Sequence, residues 1–422
     1  MAKTVAILGT FDTKGEEFRY VKDLFERLGV NTLTIHCGVF DPAWAPDISN
    51  TDVAAAVDID MSVIVEKKDR ALATKTMADG VKKLVPALYA NGRFDGIFSM
   101  GGSGGTSIAT AAMQQLPIGV PKVMVSTMAS GDTTPYVGAS DINMFPSIVD
   151  VSGVNALSST IYSNAVHAMV GMLSYDIPPI KASKPLVACT MFGVTTPCVT
   201  KACELLSDAG YEPLVFHATG TGGRCMEALV RDGFIAGVLD LTTTEWCDTL
   251  FGGVLAAGPE RNDAAALLGV PAVVSTGALD MVNFGPWDTV PAEHRDRNLY
   301  KHNPTVTLMR TTADENRQLG EKLAEKVNQS IGPCAVLLPL GGVSMIDAPG
   351  QPFYGPDEDA ALFDALRDNV DRSRVELDEV DAHINDDAFA KAAVDKLIEL
   401  MDAAKADGAM HADGGSTAKS EA

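Results

Sequence analysis

Long apolar runs are missing from this sequence of 422 residues. No segment reaches the length of about 18 apolar residues that a membrane-spanning helix requires, so no such helix is expected. The first residues, MAKTVAILGTFD, enter a strand-like run without the pattern of a cleavable signal. The seven cysteines include no CxxC pair, and their odd number is typical of free thiols rather than of a disulfide scaffold. These absences predict a cytoplasmic protein without a membrane partner.

Basic residues are also scarce. Lysine and arginine number 33 against 55 aspartates and glutamates, which gives a formal net charge of −22. A nucleic-acid interface needs a basic face, so nucleic-acid binding is not expected. Two catalytic signatures are absent as well. There is no GxSxG nucleophile elbow, and the spacing of His217, His302 and His383 is not that of a zinc site.

Short apolar runs alternate with segments of helical periodicity. The run TVAILG at 4–9 precedes a helix-like segment, and NTLTIHCG follows as a second strand-like run. One face of the intervening helix is apolar: Phe18, Val21, Leu24, Phe25 and Leu28. Strand–helix–strand order of this kind predicts a βαβ unit with a parallel sheet. Later strands DGIFSM and PKVMVSTM, with helices at about 70–91, 107–116 and 151–175, continue the pattern.

The second half of the chain repeats the first. The segment from Gly9 pairs without a gap with the segment from Thr190, so that Gly29 matches Gly210 and His36 matches His217. The predicted fold class is therefore α/β, with two Rossmann-like, doubly wound parallel-sheet domains. An internal duplication would explain the pairing, although any two βαβ units look broadly alike.

The predicted domains meet at a bend rich in proline, DIPPIKASKP. The N-terminal domain covers 1–180 and the C-terminal domain covers 185–405, with an insertion at about 40–92 of the first half. Small and polar residues dominate 406–422, which predicts a disordered tail.

Three polar loops follow predicted strands of the first half: GTFDTKG at 9–15, GGSGGT at 101–106 and TMASGDTTPYVGASD at 127–141. Ligands of open parallel sheets bind outside the carboxyl ends of the strands. Bare backbone N–H groups at a helix start favour a phosphate, and a lysine in the first loop could neutralise it. The candidate nucleotide-binding residues are Asp12, Thr13, Lys14, Gly101, Gly102, Ser103, Gly104, Gly105, Thr106, Thr127, Ser130, Gly131 and Asp132.

A magnesium ion or a ribose hydroxyl could be held by Asp12, Asp132 or Asp141, and Asp141 is the candidate metal ligand. The alternative for the glycine loop is a tight turn whose glycines pack against a helix. GGSGGT is neither a GxGxxG fingerprint nor a Walker A loop, since no GK[ST] closes it. A dinucleotide site is accordingly less favoured than a mononucleotide site.

The second half has its own polar set at predicted strand ends. Two arginines there could form forked contacts with a carboxylate or phosphate. The candidate substrate-binding residues are Gly222, Gly223, Arg224, Thr243, Thr244, Asn303, Arg310, Thr311 and Thr312. Glu245, His217 and His302 are the candidate acid–base catalysts. The alternative is that these side chains cap helices and satisfy turns.

Long motifs in both halves resemble those of the Tm-1-like ATP-binding family. They include GTFDTKG, GGSGGT, VSTMASGD, HATGTGGRCMEAL, GVLDLTTTEWCDTLFGGVLAAGPER, HNPTVTLMRTT and VLLPLGGVSMID, and the resemblance spans about residues 3–400. It implies two Rossmann-like domains, a homodimer, and ATP with magnesium in the first domain. The reaction of the microbial members is not implied by it.

Two functions follow as expectations. The first is a cytosolic ATP-binding protein that acts as an enzyme on a small anionic metabolite, a carboxylate or a phosphate, in a cleft between the domains. The second is a dimeric module, stabilised by nucleotide, that binds another protein without catalysis. The many glycines and hydroxyls at strand ends favour the enzyme, because a scaffold does not need them.

Overall fold

The computed structural model describes residues 2–67, 69–174 and 184–406. These residues fall into two compact units, one on each side of the gap at 175–183. The predicted domain boundary lies largely in that gap, and the predicted tail lies outside the described residues from 407 onwards. None of the helices in the described ranges is long and apolar enough to cross a membrane.

The N-terminal unit is built around one parallel sheet of five strands in the order β2-β1-β3-β4-β5. The strands are β1 (Thr4–Gly9), β2 (Asn31–His36), β3 (Gly96–Gly101), β4 (Lys122–Ser126) and β5 (Asn143–Pro146). The helices are α1 (Gly15–Arg27), α2 (Asn50–Ala55), α3 (Met61–Lys67), α4 (Arg70–Ala90), α5 (Ser103–Met113), α6 (Thr134–Val137) and α7 (Ala156–Ser174). Val5 and Ile7 join one apolar core while Ala6 and Leu8 join another, so helices cover both faces of the sheet.

The C-terminal unit has a parallel sheet of six strands in the order β14-β13-β9-β8-β6-β7, and a second, antiparallel sheet in the order β10-β12-β11. The strands are β6 (Leu186–Met191), β7 (Glu212–His217), β8 (Gly237–Thr242), β9 (Ala272–Gly277), β10 (Met281–Phe284), β11 (Leu299–Asn303), β12 (Val306–Arg310), β13 (Cys334–Pro339) and β14 (Val375–Val380). The helices are α8 (Thr196–Asp208), α9 (Thr221–Arg231), α10 (Glu245–Phe251), α11 (Asp263–Leu268), α12 (Ala313–Val327), α13 (Pro356–Asn369) and α14 (Asp387–Ala406).

The two parallel sheets share their topology. Counted along the chain within each parallel sheet, the second strand lies outside the first, and the third, fourth and fifth follow on the other side. The pairs α1/α8 and β2/β7 are offset by 181 residues at both ends. The predicted insertion contains α2, α3 and α4, where the second unit has α9 alone. Two Rossmann-like parallel-sheet units are confirmed, and their common strand order agrees with a duplication.

Two details differ from the sequence prediction. The helix expected at 151–175 begins only at Ala156, since Asn155 accepts the N–H groups of Leu157 and Ser158 and so sets the helix start. The expectation of parallel sheets alone was incomplete, because 281–310 forms the antiparallel sheet. Strands that pair as a hairpin look the same in sequence as strands at the edge of a parallel sheet.

Candidate functional site

The carboxyl edge of the N-terminal sheet brings the three predicted loops together. From β1 the chain forms β2 on one side of β1 and then crosses to form β3 on the other side. The strand order therefore reverses at β1, and the loops after β1 and β3 flank this point. The loop after β4 lies next to them, because β4 pairs with β3. Open α/β sheets bind ligands in the crevice at such a point.

The glycine loop is the first turn of a helix. Helix α5 begins at Ser103 with Gly102 at its N-cap, and no side chain caps its N–H groups. The Thr106 hydroxyl turns inward, donating to the Gly102 carbonyl at 2.8 Å and lying 2.6 Å from the Ser126 hydroxyl. The first turn contains no acidic residue, so no side chain of this turn repels an anion.

The glycines of this turn are not explained by the conformation of the chain. Gly101, Gly102, Gly104 and Gly105 all lie outside the positive-φ region that favours glycine. A methyl group at Gly104 would meet no described heavy atom within 4 Å apart from the backbone of its own helix. One at Gly102 would meet only the Thr127 hydroxyl, at 3.8 Å. Gly101 alone is tight, 3.3 Å from the Cα of Gly105.

The loop after β1 is held by its own polar side chains. The Asp12 carboxylate accepts the backbone N–H groups of residues 39 and 40, both at 3.1 Å, as well as that of Thr13. The Thr13 hydroxyl contacts the Thr10 hydroxyl at 3.1 Å. These contacts favour a structural role for Asp12 over the predicted contact with ribose or magnesium.

Lys14 is half-buried at the N-cap of α1 and donates from its ammonium group to the Val151 carbonyl. An ammonium carries three donors, so two remain for other acceptors. Lys14 therefore stays a candidate for a phosphate contact at this edge.

The loop after β4 keeps exposed polar groups. Ser130, Gly131 and Asp132 are exposed, and Thr127 is partly exposed. Asp132 accepts the backbone N–H of Thr134 at 2.9 Å, and hydrogen bonding to the Thr134 side chain and backbone lowers the pKa of its carboxyl. The carboxylate is thus ionised at neutral pH and is accessible to a magnesium ion.

The candidate metal ligand Asp141 is engaged elsewhere. It accepts from the buried Lys122 ammonium at 2.5 Å and from the Gly119 N–H at 2.8 Å. Within the described ranges, no group of three or more His, Cys, Asp or Glu residues is arranged to hold a metal ion. The geometry favours a structural ion pair for Asp141.

A buried ion cluster dominates the C-terminal unit. Arg261 is fully buried and forms a fork onto Asp240, with one contact at 2.7 Å. Its Nε donates to Glu245 at 2.6 Å, and Glu227 lies 3.6 Å away. Asn262 donates to the same Asp240 at 2.7 Å. Burial raises the pKa of Glu227, whereas the surrounding carboxylates raise that of Arg261.

Glu245 faces this cluster rather than an open crevice. It is fully buried, and its Oε1 accepts the backbone N–H groups of Gly220 at 2.6 Å and Gly223 at 3.1 Å. A side chain at Gly223 would collide with this carboxylate, and one at Gly222 would collide with the His217 carbonyl. Internal packing therefore explains both glycines, and the contacts of Glu245 favour a structural role over the predicted catalytic one.

The neighbouring candidates are also engaged within the unit. Arg224 donates to the Ala256 carbonyl at 3.0 Å, and the Thr243 hydroxyl donates to the Ser275 carbonyl at 2.8 Å. The Thr244 hydroxyl is buried without a described hydrogen-bond partner. His217 ends β7 with an exposed ring stacked on Phe192, so among these it keeps the most open position.

Arg310 forms a second buried cluster. Its guanidinium contacts Asp359 at 3.0 Å and Asp347 at 3.7 Å, and it donates to the Phe353 carbonyl at 2.8 Å. Its exposed fraction is only 6 %, which leaves little of the group for a substrate. Asp280 is buried beside it. Burial raises the pKa of the Asp280 carboxyl, and the positive charge of Arg310 partly offsets this rise.

The remaining candidates flank the predicted strand, β12, but this strand belongs to the antiparallel sheet rather than to the parallel one. His302 and Asn303 lie within β11 of the antiparallel sheet, where His302 is exposed. The Thr311 hydroxyl donates to the Leu279 carbonyl at 2.9 Å. Thr312 caps α12 in a capping box with Glu315. His302 and Asn303 therefore lie in a different sheet from β8, the strand that Glu245 follows.

The Arg310 cluster predicts a pH dependence of stability. Burial and the nearby Asp347 raise the pKa of Asp359 to about 8, and burial raises that of Asp280 to about 7. Both carboxyls bind protons more tightly when folded, so their contribution to stability is lost as pH rises from about 4 to 8. The free energy of unfolding should fall with a slope of up to about 1.4 kcal/mol per pH unit for each group.

Urea titrations between pH 5 and 8.5 measure this slope. Asp359→Asn should reduce the slope by the share of one group, whereas Asp357→Asn, at an exposed position of the same helix turn, should leave it unchanged. Equal slopes in both variants would contradict the assignment to the buried carboxyl.

Several residues of these clusters were missed by sequence reasoning. Arg261, Asp240, Asp280, Asp347 and Asp359 are all buried. Their only signal was a charged residue inside or beside an apolar run, as in GVLDLT and GPERND. Which charges meet one another depends on tertiary packing, which no spacing in the sequence reveals.

Comparison with protein families accounts for nearly the whole chain. The N-terminal domain model of the uncharacterised protein family UPF0261 matches residues 3–178, and its C-terminal domain model matches 184–401. A UPF0261 protein of Clostridium tetani is 53% identical over 403 residues, covering 95% of this chain and 100% of that protein. The tomato (Solanum lycopersicum) ToMV resistance protein Tm-1(GCR237) is 41% identical over 424 residues, covering 94% of this chain but 55% of the tomato protein.

Solved structures offer a more distant likeness. A UDP-N-acetylglucosamine 2-epimerase from Rickettsia bellii aligns with 13% identity and a TM-score of 0.22. The alignment covers 65% of this chain and 78% of the epimerase. At this score the likeness carries no argument about ligand or activity.

Proposed function

This chain belongs to the uncharacterised protein family UPF0261, and we propose that its N-terminal unit binds ATP with Mg²⁺ at the carboxyl edge of its sheet. The phosphates would lie against the first turn of α5, between the loops after β1 and β4. Uncapped N–H groups and the positive end of the helix dipole favour an anion there.

The observation that carries the proposal is that glycine is present at positions 102 and 104 although the folded chain does not require it there. Neither positive φ nor internal packing requires glycine at these positions. A ligand that touches the main chain does require it, because any Cβ would occupy the space of the phosphate oxygens. By contrast, Gly222 and Gly223 of the C-terminal unit are explained by packing alone.

The residues present also fit a magnesium ion held mainly by the nucleotide. Mg²⁺ at such sites keeps several waters and takes one or two protein oxygens besides the phosphates. Asp132, ionised and exposed, would supply a carboxylate, and Ser130 and Thr127 would supply hydroxyls. When bound, the ion neutralises phosphate charge, while this chain's residues bind and orient the nucleotide.

Catalysis has weaker support than binding. Glu245 and Arg310 are buried among internal partners, so they are closed to the expected anionic substrate, and the half-buried Arg224 keeps only part of its guanidinium open. Release of ADP or AMP from ATP by the purified protein, with and without small carboxylic acids, distinguishes an enzyme from a binding module.

The homodimer is part of the proposal, and the mass in solution by light scattering tests it.

The direct test is calorimetric titration of the purified chain with ATP in the presence of Mg²⁺. One site per N-terminal unit is expected, and absence of binding would contradict the proposal. Lys14→Met should weaken ATP about tenfold, because one charge-assisted hydrogen bond to a phosphate is lost.

Lys22→Met is the matched control, since Lys22 lies on the same helix and pairs with Glu26. It should leave the affinity unchanged. A similar loss in both variants would indicate general electrostatics rather than a specific contact of Lys14.

A further inference from the structure

We propose that Phe40 is the base-binding subsite of the nucleotide site, where its ring stacks on the nucleobase. The inference rests on the proposed function, because it takes the phosphates to lie at the first turn of α5. It extends the proposal from the phosphates to the nucleobase, a planar aromatic group that the protein would recognise by stacking.

The ring of Phe40 lies in solvent, with 64% of the residue exposed. The other large side chains of this segment are packed: Phe11 is fully buried, and Trp44 stacks on it with ring centroids 4.4 Å apart. An exposed aromatic at a ligand-binding edge of a sheet is a surface that a flat apolar ligand can cover.

The backbone of Phe40 is fixed from two sides. Its N–H donates to the Asp12 carboxylate at 3.1 Å, and its carbonyl lies 3.0 Å from the Nε2 of the buried His36. The Nδ1 of His36 accepts the Phe11 N–H at 3.1 Å, so the ring proton is on Nε2 and donates to Phe40. These contacts fix the main chain of Phe40, so the loop that carries the exposed ring loses little conformational entropy when a ligand binds.

The loop that carries Phe40 is hydrogen-bonded to the loop after β1. The Ala43 N–H donates to the Phe11 carbonyl at 2.9 Å, and the Trp44 indole donates to the Gly15 carbonyl at 2.8 Å. β2 and β3 are the two neighbours of β1, so their carboxyl ends lie about 10 Å apart at the usual strand spacing. A nucleotide with its phosphates on α5 can span that separation and bring its base to Phe40.

Stacking on one aromatic ring tolerates every base, because each has a π-face, and truncation of such a ring costs measurable affinity. Calorimetric titrations with Mg-ATP and with Mg-tripolyphosphate separate base from phosphate contacts. Phe40→Ala should weaken ATP about tenfold and leave tripolyphosphate unchanged. Phe40→Trp should restore the affinity for ATP.

Ile148 supplies the matched control. It is 72% exposed and follows β5, at the opposite end of the same sheet edge. Ile148→Ala should bind both ligands like the unmodified chain. Loss of ATP affinity in Ile148→Ala but not in Phe40→Ala would overturn the inference by placing the base at the other end.

The remaining outcomes are also decisive. Unchanged ATP affinity in Phe40→Ala would overturn the subsite while leaving the proposed function intact. Equal weakening of ATP and tripolyphosphate would also overturn it, since Phe40 would then act through the loop. If the unmodified chain binds neither ligand, the proposed function fails, and the subsite fails with it.

Discussion

Replacement of Gly104 by valine is expected to abolish ATP binding while the N-terminal unit stays folded. Gly104 does not have a positive φ, and a Cβ there would meet no described heavy atom within 4 Å outside its own helix. Valine is therefore expected to be tolerated by the folded chain while it occupies the space in which the phosphates are proposed to lie. Loss of the backbone contacts should cost on the order of 3 kcal/mol or more, at least about a hundredfold in affinity, which removes the calorimetric signal of ATP.

Gly171→Val is the matched control. Gly171 also lies within a helix, α7, and a side chain there would likewise find open space. Both variants should have the same circular dichroism spectrum and a similar free energy of unfolding. Only Gly104→Val should lose the calorimetric signal of ATP. A folded Gly104→Val variant with undiminished affinity would reduce the glycine turn to a packing element.

Arg261→Met is expected to destabilise the C-terminal unit by about 3–5 kcal/mol, because it leaves Asp240 and Glu245 buried without their cation. Arg261 is fully buried and its three nearest carboxylates are nearly so. Methionine keeps the apolar stem but lacks the guanidinium, so most of the cost is the loss of the charge that neutralises these carboxylates. Urea unfolding followed by circular dichroism measures the change.

The control is Arg317→Met. Arg317 also contacts two carboxylates, Asp314 and Glu321, but on the exposed face of α12. Its removal should leave the free energy of unfolding nearly unchanged, since exposed ion pairs contribute little. Arg261→Met should also recover part of its stability at low pH, where the carboxylates protonate. A loss no larger than that of Arg317→Met would contradict the central role of the cluster.

The two parallel-sheet units could be predicted from the sequence because the alternation of strand-like and helix-like apolar patterns occurs in both halves. The apolar face of α1 and the strand-like run of β1 predicted the first βαβ unit, and the gapless pairing predicted the second. The antiparallel sheet was missed, since 299–310 has the same alternation whether it pairs with β10 or with the parallel sheet. Pairing partners are set by tertiary contacts rather than by local pattern.

The candidate site was predicted unevenly. Glycine and hydroxyl residues at strand ends were placed correctly on one edge of the N-terminal sheet, because the carboxyl ends of parallel strands meet there. In the C-terminal unit the same reasoning selected Glu245 and Arg310, which are buried among internal partners. Polar residue types predict that a side chain needs a partner. They do not tell whether that partner is a ligand or another residue of the chain.

The carboxylate of Glu245 meets the α9 turn in the place where a dissolved anion could otherwise sit. A group that is part of the polypeptide has no bulk concentration and cannot be diluted away or exchanged. The thermal transition of the C-terminal unit should therefore ignore anions in the buffer. That of the N-terminal unit should follow its ligand by mass action, gaining about 2.7 kcal/mol at a hundred times the dissociation constant. Under the proposed function, the stability of the N-terminal unit would vary with the nucleotide concentration, whereas that of the C-terminal unit would not.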